Sequence, residues 1–303
     1  MLLLQFQLKS TSCRLTNCFR QSIRRIVTHL SPTTSLLRSN SSDNEVYLLG
    51  TAHVSDASSQ EVVDLIRLVN PEVVFLELDP ARAVQLRNRR DAGNNSGMEF
   101  SPFDLSKFLN GNPLFRGVQN NMANSPLSSS LEKILPVIPT FLKKLGWLPP
   151  QGGEMKAAME EADRIGARCV YGDVEFNETI SALKAAAFGL MASPAAMMQT
   201  FSNVPPPPPE LSEIFSGLMG GSKDPQQFVE DIKTRERSKT MTRYMSRCFP
   251  SIYHVMITKR DDHMARQLKK HCHKGKVVAV VGMAHVEGIE REWEKLDNVK
   301  QIS

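Results

Sequence analysis

Three short apolar runs restrict the folds open to this sequence more than any other feature does. They occupy residues 46–50, 72–78 and 276–282. Residues 58–69 between the first two runs have the periodicity of an amphipathic helix, and Asn70 and Pro71 end it. This strand, helix and strand together have the length that a right-handed parallel crossover needs. The sequence therefore predicts an α/β fold with a sheet that is at least partly parallel.

The alternation of helices and strands continues to the end of the chain. Residues 154–173 repeat the pattern with an Ala- and Glu-rich helix followed by a strand. We predict a mixed or mostly parallel central sheet flanked by helices, in one domain over residues 45–303. Within that domain, the composition of residues 91–153 is typical of a mobile, partly helical insertion. The segment VPPPPPE, residues 204–210, is predicted to be a proline-rich linker.

The first 40 residues differ from the rest of the chain in composition. Six basic residues and no Asp or Glu occur before residue 43, and Ser and Thr are frequent. The basic residues are Lys9, Arg14, Arg20, Arg24, Arg25 and Arg38. This composition predicts a disordered organelle transit peptide over residues 1–40, mitochondrial or, as the alternative, plastid. A basic disordered tail without a targeting role is the other interpretation.

Charge and hydropathy argue against two classes of function. The formal net charge is +5, but six of the 37 Lys and Arg lie in the leader, and the remainder nearly balance the 32 Asp and Glu. The body of the protein is therefore close to neutral, which argues against nucleic-acid binding. The sequence contains no uninterrupted run of about 18 apolar residues, so no membrane-spanning helix is predicted. The apolar stretch at residues 185–201 predicts at most a peripheral contact with a membrane or a partner.

A Gly-x-x-His motif follows the first apolar run and returns after the last one. It places His53 three residues after Gly50, and His285 three residues after Gly282. Glycine lets the backbone turn sharply at the end of a strand, so that the histidine extends from the loop. Ligands bind α/β sheets at the carboxyl ends of their parallel strands, and Glu77 lies at the end of the second run. If the first and last strands are neighbours, both histidines and this glutamate converge.

Two imidazoles and one carboxylate support two kinds of chemistry. They suit a divalent transition metal such as zinc, manganese or cobalt that keeps a coordination position open for water. They also suit general acid–base catalysis without a metal, because a histidine titrates near neutral pH and a carboxylate can fix its tautomer. The residues alone leave both open. The phosphate-binding and dinucleotide-binding glycine motifs are absent from the sequence, so no nucleotide cofactor is expected.

Several motifs together resemble the TraB family, which includes pheromone-shutdown proteins and is distantly similar to Tiki-type and erythromycin-esterase-like proteins. They are LGTAHVSDASSQEV, PEVVFLELDPAR and VVAVVGMAHVEGI, and the resemblance covers residues 45–289. GGEMKAAMEEADRIGARCVYGD is similar to the middle motif of the family, and TKRDDHMARQL to its Arg-Asp segment. The resemblance implies an α/β domain with both histidines and the glutamate at one site. It also implies the metal-dependent peptide-bond hydrolysis that is attributed to the Tiki branch.

The resemblance assigns roles to individual residues. The core of the site and its metal ligands would be His53, Glu77 and His285, with Arg82 as a catalytic charge partner. Further polar positions of the site would be Glu154, Asp173 and Arg260. Arg82 has a second interpretation, as part of a solvent-exposed basic helix face. Val174 stands where the family's Gly-Asp-Arg motif has arginine, so we expect Asp173 to lack a balancing cation, which argues against full catalytic competence.

Two functional hypotheses follow from these observations. The first is a metal-dependent hydrolase that acts on an unknown peptide or protein substrate, and bound metal would support it. The second is a non-catalytic organelle adaptor or regulator that uses the fold, the insertion and the proline-rich segment to bind a partner or a membrane surface. A partner that still binds after both histidines are replaced would support the second.

Overall fold

A mixed six-stranded sheet forms the centre of the described residues, which in the computed structural model are 27–39, 43–51, 56–88, 153–190, 205–212 and 234–299. The strands are β1 (Val27–His29), β2 (Thr34–Arg38), β3 (Glu45–Thr51), β4 (Val73–Leu76), β5 (Arg168–Tyr171) and β6 (Lys276–Gly282). Their order is β1-β2-β3-β6-β4-β5. The four strands from β3 to β5 in this order are parallel, whereas β1 and β2 pair antiparallel. The predicted fold class is confirmed.

Helices flank this sheet in the described ranges. They are α1 (Asp56–Val69), α2 (Pro80–Asn88), α3 (Gly153–Ile165), α4 (Phe176–Leu190), α5 (Arg235–Cys248), α6 (Pro250–Tyr253), α7 (Lys259–His271) and α8 (Met283–Val299). A π-helical segment (His254–Thr258) connects α6 to α7. The predicted end of the first helix is confirmed, because α1 stops at Val69 and Asn70 adopts a φ of 48°.

Different helices cover the two faces of the sheet. Side chains alternate between the faces along a strand, so Val277, Ala279 and Val281 of β6 belong to an apolar cluster with α7 and α8. Val278 and Val280 belong to a second cluster with α1 and α3. Because both faces are buried, the central strands are continuous apolar runs in the sequence.

Residues 27–39 belong to the sheet, so the expectation that residues 1–40 are disordered is wrong for this part. β2 pairs with β3 along its whole length, and Leu37 is fully buried. Ser35 donates a hydrogen bond of 2.5 Å to the Glu290 carboxylate of α8, 255 residues further along the chain. The composition of this part is rich in serine, as in a transit peptide. The sequence alone does not reveal its place in the sheet, because the partners of these polar side chains lie far away in the chain.

Other predicted segments lie partly or wholly outside the described residues. They include residues 1–26, residues 52–55 and residues 91–152, the last of which were predicted to be an insertion. α4 includes only the beginning of the apolar stretch at 185–201. Within the described ranges, no helix is both long enough and apolar enough to cross a bilayer. In the predicted proline-rich linker, residues 205–208 are neither helix nor strand, whereas residues 209–212 are helical.

Candidate functional site at the carboxyl edge of the sheet

Three neighbouring parallel strands, β3, β6 and β4, end at one edge of the sheet. The first and last apolar runs are indeed neighbours, since Thr51 of β3 pairs with Gly282 of β6. Directly after β4, the backbone N–H of Glu77 donates to the carbonyl of Val280 at 3.1 Å. His53 lies two residues beyond Thr51, outside the described residues. Its approach to the other two residues therefore stays a prediction.

Glu77 and His285 meet at this edge. His285 is in the first turn of α8, and its Nε2 lies 3.3 Å from Oε1 of Glu77. The second carboxylate oxygen of Glu77 accepts a hydrogen bond from the backbone N–H of Gly282 at 2.5 Å. Both side chains are almost completely buried. Glu77, at the end of β4, and His285, from the second Gly-x-x-His motif, thus lie together in a site that excludes water.

Arg260 of α7 is at the centre of this cluster. Its Nη1 lies 3.1 Å from Nε2 of His285, and its Nη2 donates to Oε1 of Glu77. The same guanidinium donates to both oxygens of Asp173, at 2.9 and 2.8 Å. Nη1 also donates to the carbonyl of Met256 in the π-helical segment at 3.2 Å. Arg260 therefore joins the ends of β4 and β5 to α7 and α8.

Arg82 extends the cluster and is not part of a solvent-exposed face. It is only 9 % exposed. It donates to Asp79 and to Asp173, each at 2.5 Å, and the Asp79 carboxylate also caps α2 by accepting from the Arg82 backbone N–H at 3.0 Å. Asp173 is thus paired with two guanidinium groups, those of Arg82 and Arg260. The expectation that Val174 leaves Asp173 without a cation is therefore wrong.

Asp261 is a member of the cluster that the sequence motifs do not single out. Its Oδ1 lies 2.7 Å from Nδ1 of His285, and its side chain is 1 % exposed. A Cβ added at Gly288 would lie 1.7 Å from Oδ2 of Asp261, so only glycine fits there without displacing the carboxylate. The next residue, Asp262, instead pairs with Arg266 on the exposed side of α7 at 2.9 Å.

The π-helical segment sets the direction of Arg260 and Asp261. The backbone N–H of Lys259 donates to the carbonyl of His254, five residues earlier. One additional residue per turn rotates the following helix face by about 100° relative to a continuous α-helix. Such insertions are frequent at functional sites. No residue type predicts this segment reliably, which explains why sequence patterns do not orient the Arg-Asp pair.

The candidate residues differ in where the structure places them. One connected network contains Glu77, Arg82, Asp173, Arg260 and His285. Glu154 is buried in the first turn of α3, on the sheet face opposite α7. Asp79 and Asp261 complete the network. The sequence motifs that contain them, LELDPAR and TKRDD, are the only signal that could have found them.

The electrostatics of the cluster follow from burial and close pairing. Burial alone would lower the pKa of His285, but the charge of Glu77 and hydrogen bonds to Asp261 and Glu77 outweigh it and raise this pKa to about 9. Burial raises the pKa of Asp261. Burial also opposes ionisation of Asp173, yet Arg260 holds the pKa of this carboxyl below its ordinary value. The balance of these effects therefore favours the protonated form of His285.

A divalent metal ion does not fit the described residues as they are arranged. A metal ion would be coordinated by Oε1 of Glu77 and Nε2 of His285. Both atoms are instead in contact with the guanidinium of Arg260, which puts a fixed positive charge where the ion would bind. Among the described residues, no group of three His, Cys, Asp or Glu side chains is arranged to hold a metal ion.

The fold and the site define a class of protein: a helix-flanked, mostly parallel α/β sheet with a buried acid–histidine–arginine network at its carboxyl edge. The chain belongs to the TraB/PrgY/gumN family, whose sequence model matches residues 35–300. The resemblance seen in the motifs is thereby confirmed.

The chain is also similar to individual curated proteins. It is 30 % identical over 268 residues to uncharacterized protein MJ1365 of Methanocaldococcus jannaschii, covering 85 % of this chain and 55 % of that protein. It is 28 % identical over 285 residues to the TraB domain-containing protein of Homo sapiens, covering 86 % and 65 % respectively. The TraB domain-containing protein of Mus musculus gives the same values. The chain thus spans between about half and two thirds of the length of these relatives.

Proposed function

We propose that this TraB-domain protein is a hydrolase of peptide or related acyl bonds that uses acid–base catalysis at the cluster of Glu77, Arg260 and His285. The observation that carries the proposal is the position of His285. Asp261 holds its Nδ1 at 2.7 Å, while its Nε2 faces Glu77 at 3.3 Å. A carboxylate that fixes one imidazole nitrogen leaves the other nitrogen to exchange a proton with a substrate.

Each charged group has a role in this proposal. Protonated His285 is a general acid that donates its Nε2 proton to the leaving group. Arg260 offers a positive charge to the oxygen that becomes negative in a tetrahedral intermediate. Glu77 and Asp173 fix the guanidinium before the substrate arrives, so little reorganisation is needed. His53, two residues after the end of β3, is the proposed base that activates water, because β3 is the direct neighbour of β6.

The metal-dependent version of this hydrolysis is not part of the proposal, since Arg260 is at the place where an ion would bind. The adaptor hypothesis remains the alternative if the chain has no turnover. The three possibilities differ in measurable ways: turnover without metal, turnover with bound metal, and partner binding without turnover.

The test uses the full chain and a panel of fluorogenic peptides, amides and esters. We expect His285→Gln and Arg260→Lys to lower turnover by about 10²–10⁴-fold, the range typical of a lost general acid or oxyanion donor. His273→Gln is the matched control, because His273 is exposed beyond α7. A chelator such as EDTA should leave turnover unchanged.

Three results would decide against the proposal. Equal turnover in the wild-type protein and in the His285→Gln variant would remove the cluster from the reaction. Stoichiometric metal that disappears with His285→Gln would restore the metal-dependent mechanism. No turnover on the whole panel, with a partner that still binds after His53 and His285 are both replaced, would support the adaptor.

A further inference from the structure

The amino edge of the sheet lies opposite the catalytic cluster and carries exposed cations. The parallel strands from β3 to β5 in the sheet order begin at this edge, and α7 ends beside it. Four exposed basic side chains of this edge form no ion pair with any residue that the structure describes. We call them the basic edge: Arg168 at the start of β5, Lys270 in the last turn of α7, Lys274 in the connection to β6, and Lys276 at the start of β6.

The basic edge is one continuous surface. Nη2 of Arg168 donates to the carbonyl of His271 at 2.8 Å, which connects the start of β5 to the end of α7. Glu72, just before β4, connects β5 to β6 through its backbone. Its N–H donates to the carbonyl of Lys276 and its carbonyl accepts from the N–H of Arg168, both at 3.0 Å. The four cations therefore lie together at one end of the sheet.

Exposed cations elsewhere on the described surface commonly have an acidic partner. Examples are the pairs Arg87–Asp163, Lys259–Glu178 and Arg266–Asp262. A helix C-terminus favours cations, which accounts for Lys270 in the last turn of α7. It does not account for Arg168 or Lys276, which begin strands. The basic edge therefore holds positive charge that is available to an external anion.

Among the described residues, the acids of this end do not balance the basic edge. Asp43 and Glu72 are exposed here, so two acids accompany four cations. Beside them, Arg67 of α1 and Arg164 of α3 share one carboxylate, that of Glu161, at 2.8 and 2.5 Å. This end of the molecule therefore has an excess of positive charge, although the body of the protein as a whole is close to neutral.

An exposed leucine lies at the same end of the sheet. Leu68 is in the last turn of α1, next to Arg67, and is 82 % exposed. α1 ends at Val69, and the chain then reaches the basic edge at Glu72. Cations and a protruding apolar side chain are two signals that together favour peripheral binding to a lipid surface.

The partner that fits this chemistry is an anionic lipid surface. Lipid headgroups supply a plane of negative charge that complements unpaired cations, and Leu68 inserts at the boundary with the acyl chains. Nucleic acid is negatively charged as well, but its single strands are bound through aromatic side chains that stack on bases, which a leucine does not replace. We propose that the basic edge and Leu68 dock the protein on an anionic membrane surface. The cluster of Glu77, Arg260 and His285, at the other end of the strands, then faces away from the membrane.

The test measures co-sedimentation of the full chain with lipid vesicles. One set is phosphatidylcholine alone, and the other contains about 30 mol % phosphatidylserine. We expect binding to the anionic vesicles alone, and loss of this binding at about 0.5 M salt, because salt screens exposed charges. At about fivefold in affinity per cation, Lys270→Gln/Lys274→Gln should weaken the binding about 25-fold. Leu68→Ser should weaken it as well, with the salt dependence unchanged.

Arg243→Gln/Arg247→Gln is the matched control, because both arginines are exposed on α5 and the variant loses the same charge. We expect it to bind the anionic vesicles like the wild-type protein. The basic residues before β1 are present in every variant, so a difference between variants reports on the basic edge alone. Circular dichroism establishes that each variant is folded.

Any of three results would overturn the proposal. Equal binding of the wild-type protein and of Lys270→Gln/Lys274→Gln would place the contact elsewhere in the chain. An equal loss of binding in the control variant would mean that net charge, and not this surface, determines binding. Binding to single-stranded RNA without binding to the anionic vesicles would assign the surface to nucleic acid.

Discussion

The pH dependence of stability should reveal the charge state of His285. Its pKa rises from an ordinary 6.5 to about 9 in the folded protein. Because the folded-state pKa is the higher one, the stabilisation is fully present below pH 6.5 and is lost as the pH rises through 9. At about 1.4 kcal/mol per pH unit, the interval between these values corresponds to about 3 kcal/mol of unfolding free energy.

The assay is urea-induced unfolding of the full chain at several pH values between 6 and 10, for the wild-type protein and for His285→Gln. We expect the unfolding free energy of the wild type to fall by about 3 kcal/mol more over this range than that of the variant. Other groups also titrate at high pH. Burial raises the pKa of Cys272 to about 12, for example. Such contributions are common to both proteins and cancel in the difference.

Equal slopes in the two proteins would refute the reasoning. They would mean that His285 is neutral at pH 7 and that its Nε2 accepts a hydrogen bond from Arg260, so that it could not be a general acid. His273→Gln should retain the wild-type slope, because this histidine is exposed. If His285→Gln does not fold, the pKa can be measured directly by NMR on histidine-labelled wild-type protein, and a value near 6.5 would have the same meaning.

Three further predictions concern targeting, packing and the buried charges. Fused to a fluorescent protein, residues 1–26 should direct it to mitochondria, and a diffuse cytosolic signal would contradict this. Deletion of residues 1–40 should abolish folding, because it removes β1 and β2 from the sheet. Gly288→Ala should cost about 1–3 kcal/mol in urea unfolding because its Cβ meets a buried carboxylate, whereas Gly189→Ala, with nothing within 4 Å, should not destabilise. Arg260→Gln should cost about 3–5 kcal/mol by the same assay, since it leaves buried carboxylates unpaired; a loss no larger than that for an exposed arginine of α7 would contradict the arrangement.

The sequence by itself determined the central sheet and the edge that holds the site. Strands buried on both faces must be apolar throughout, so β3, β4 and β6 are visible as continuous runs. The polar residues directly after these runs, Glu77 among them, then fall at the carboxyl edge because parallel strands end together. The end of α1 at Asn70 is likewise local, since the proline that follows stops the helix.

Only the tertiary structure decided which charges meet at that edge. Asp173 pairs with Arg82 and Arg260, which are 91 and 87 residues away, and no local periodicity encodes such distances. The π-helical segment turns Arg260 and Asp261 inward by one inserted residue, a geometric change without a residue signature. The same reason applies to residues 27–39. Their serine-rich composition is typical of a transit peptide, and only the folded structure shows that Ser35 and Ser39 pair with carboxylates of α8. Contacts between elements far apart in sequence depend on how the elements pack, and packing is a property of the whole chain.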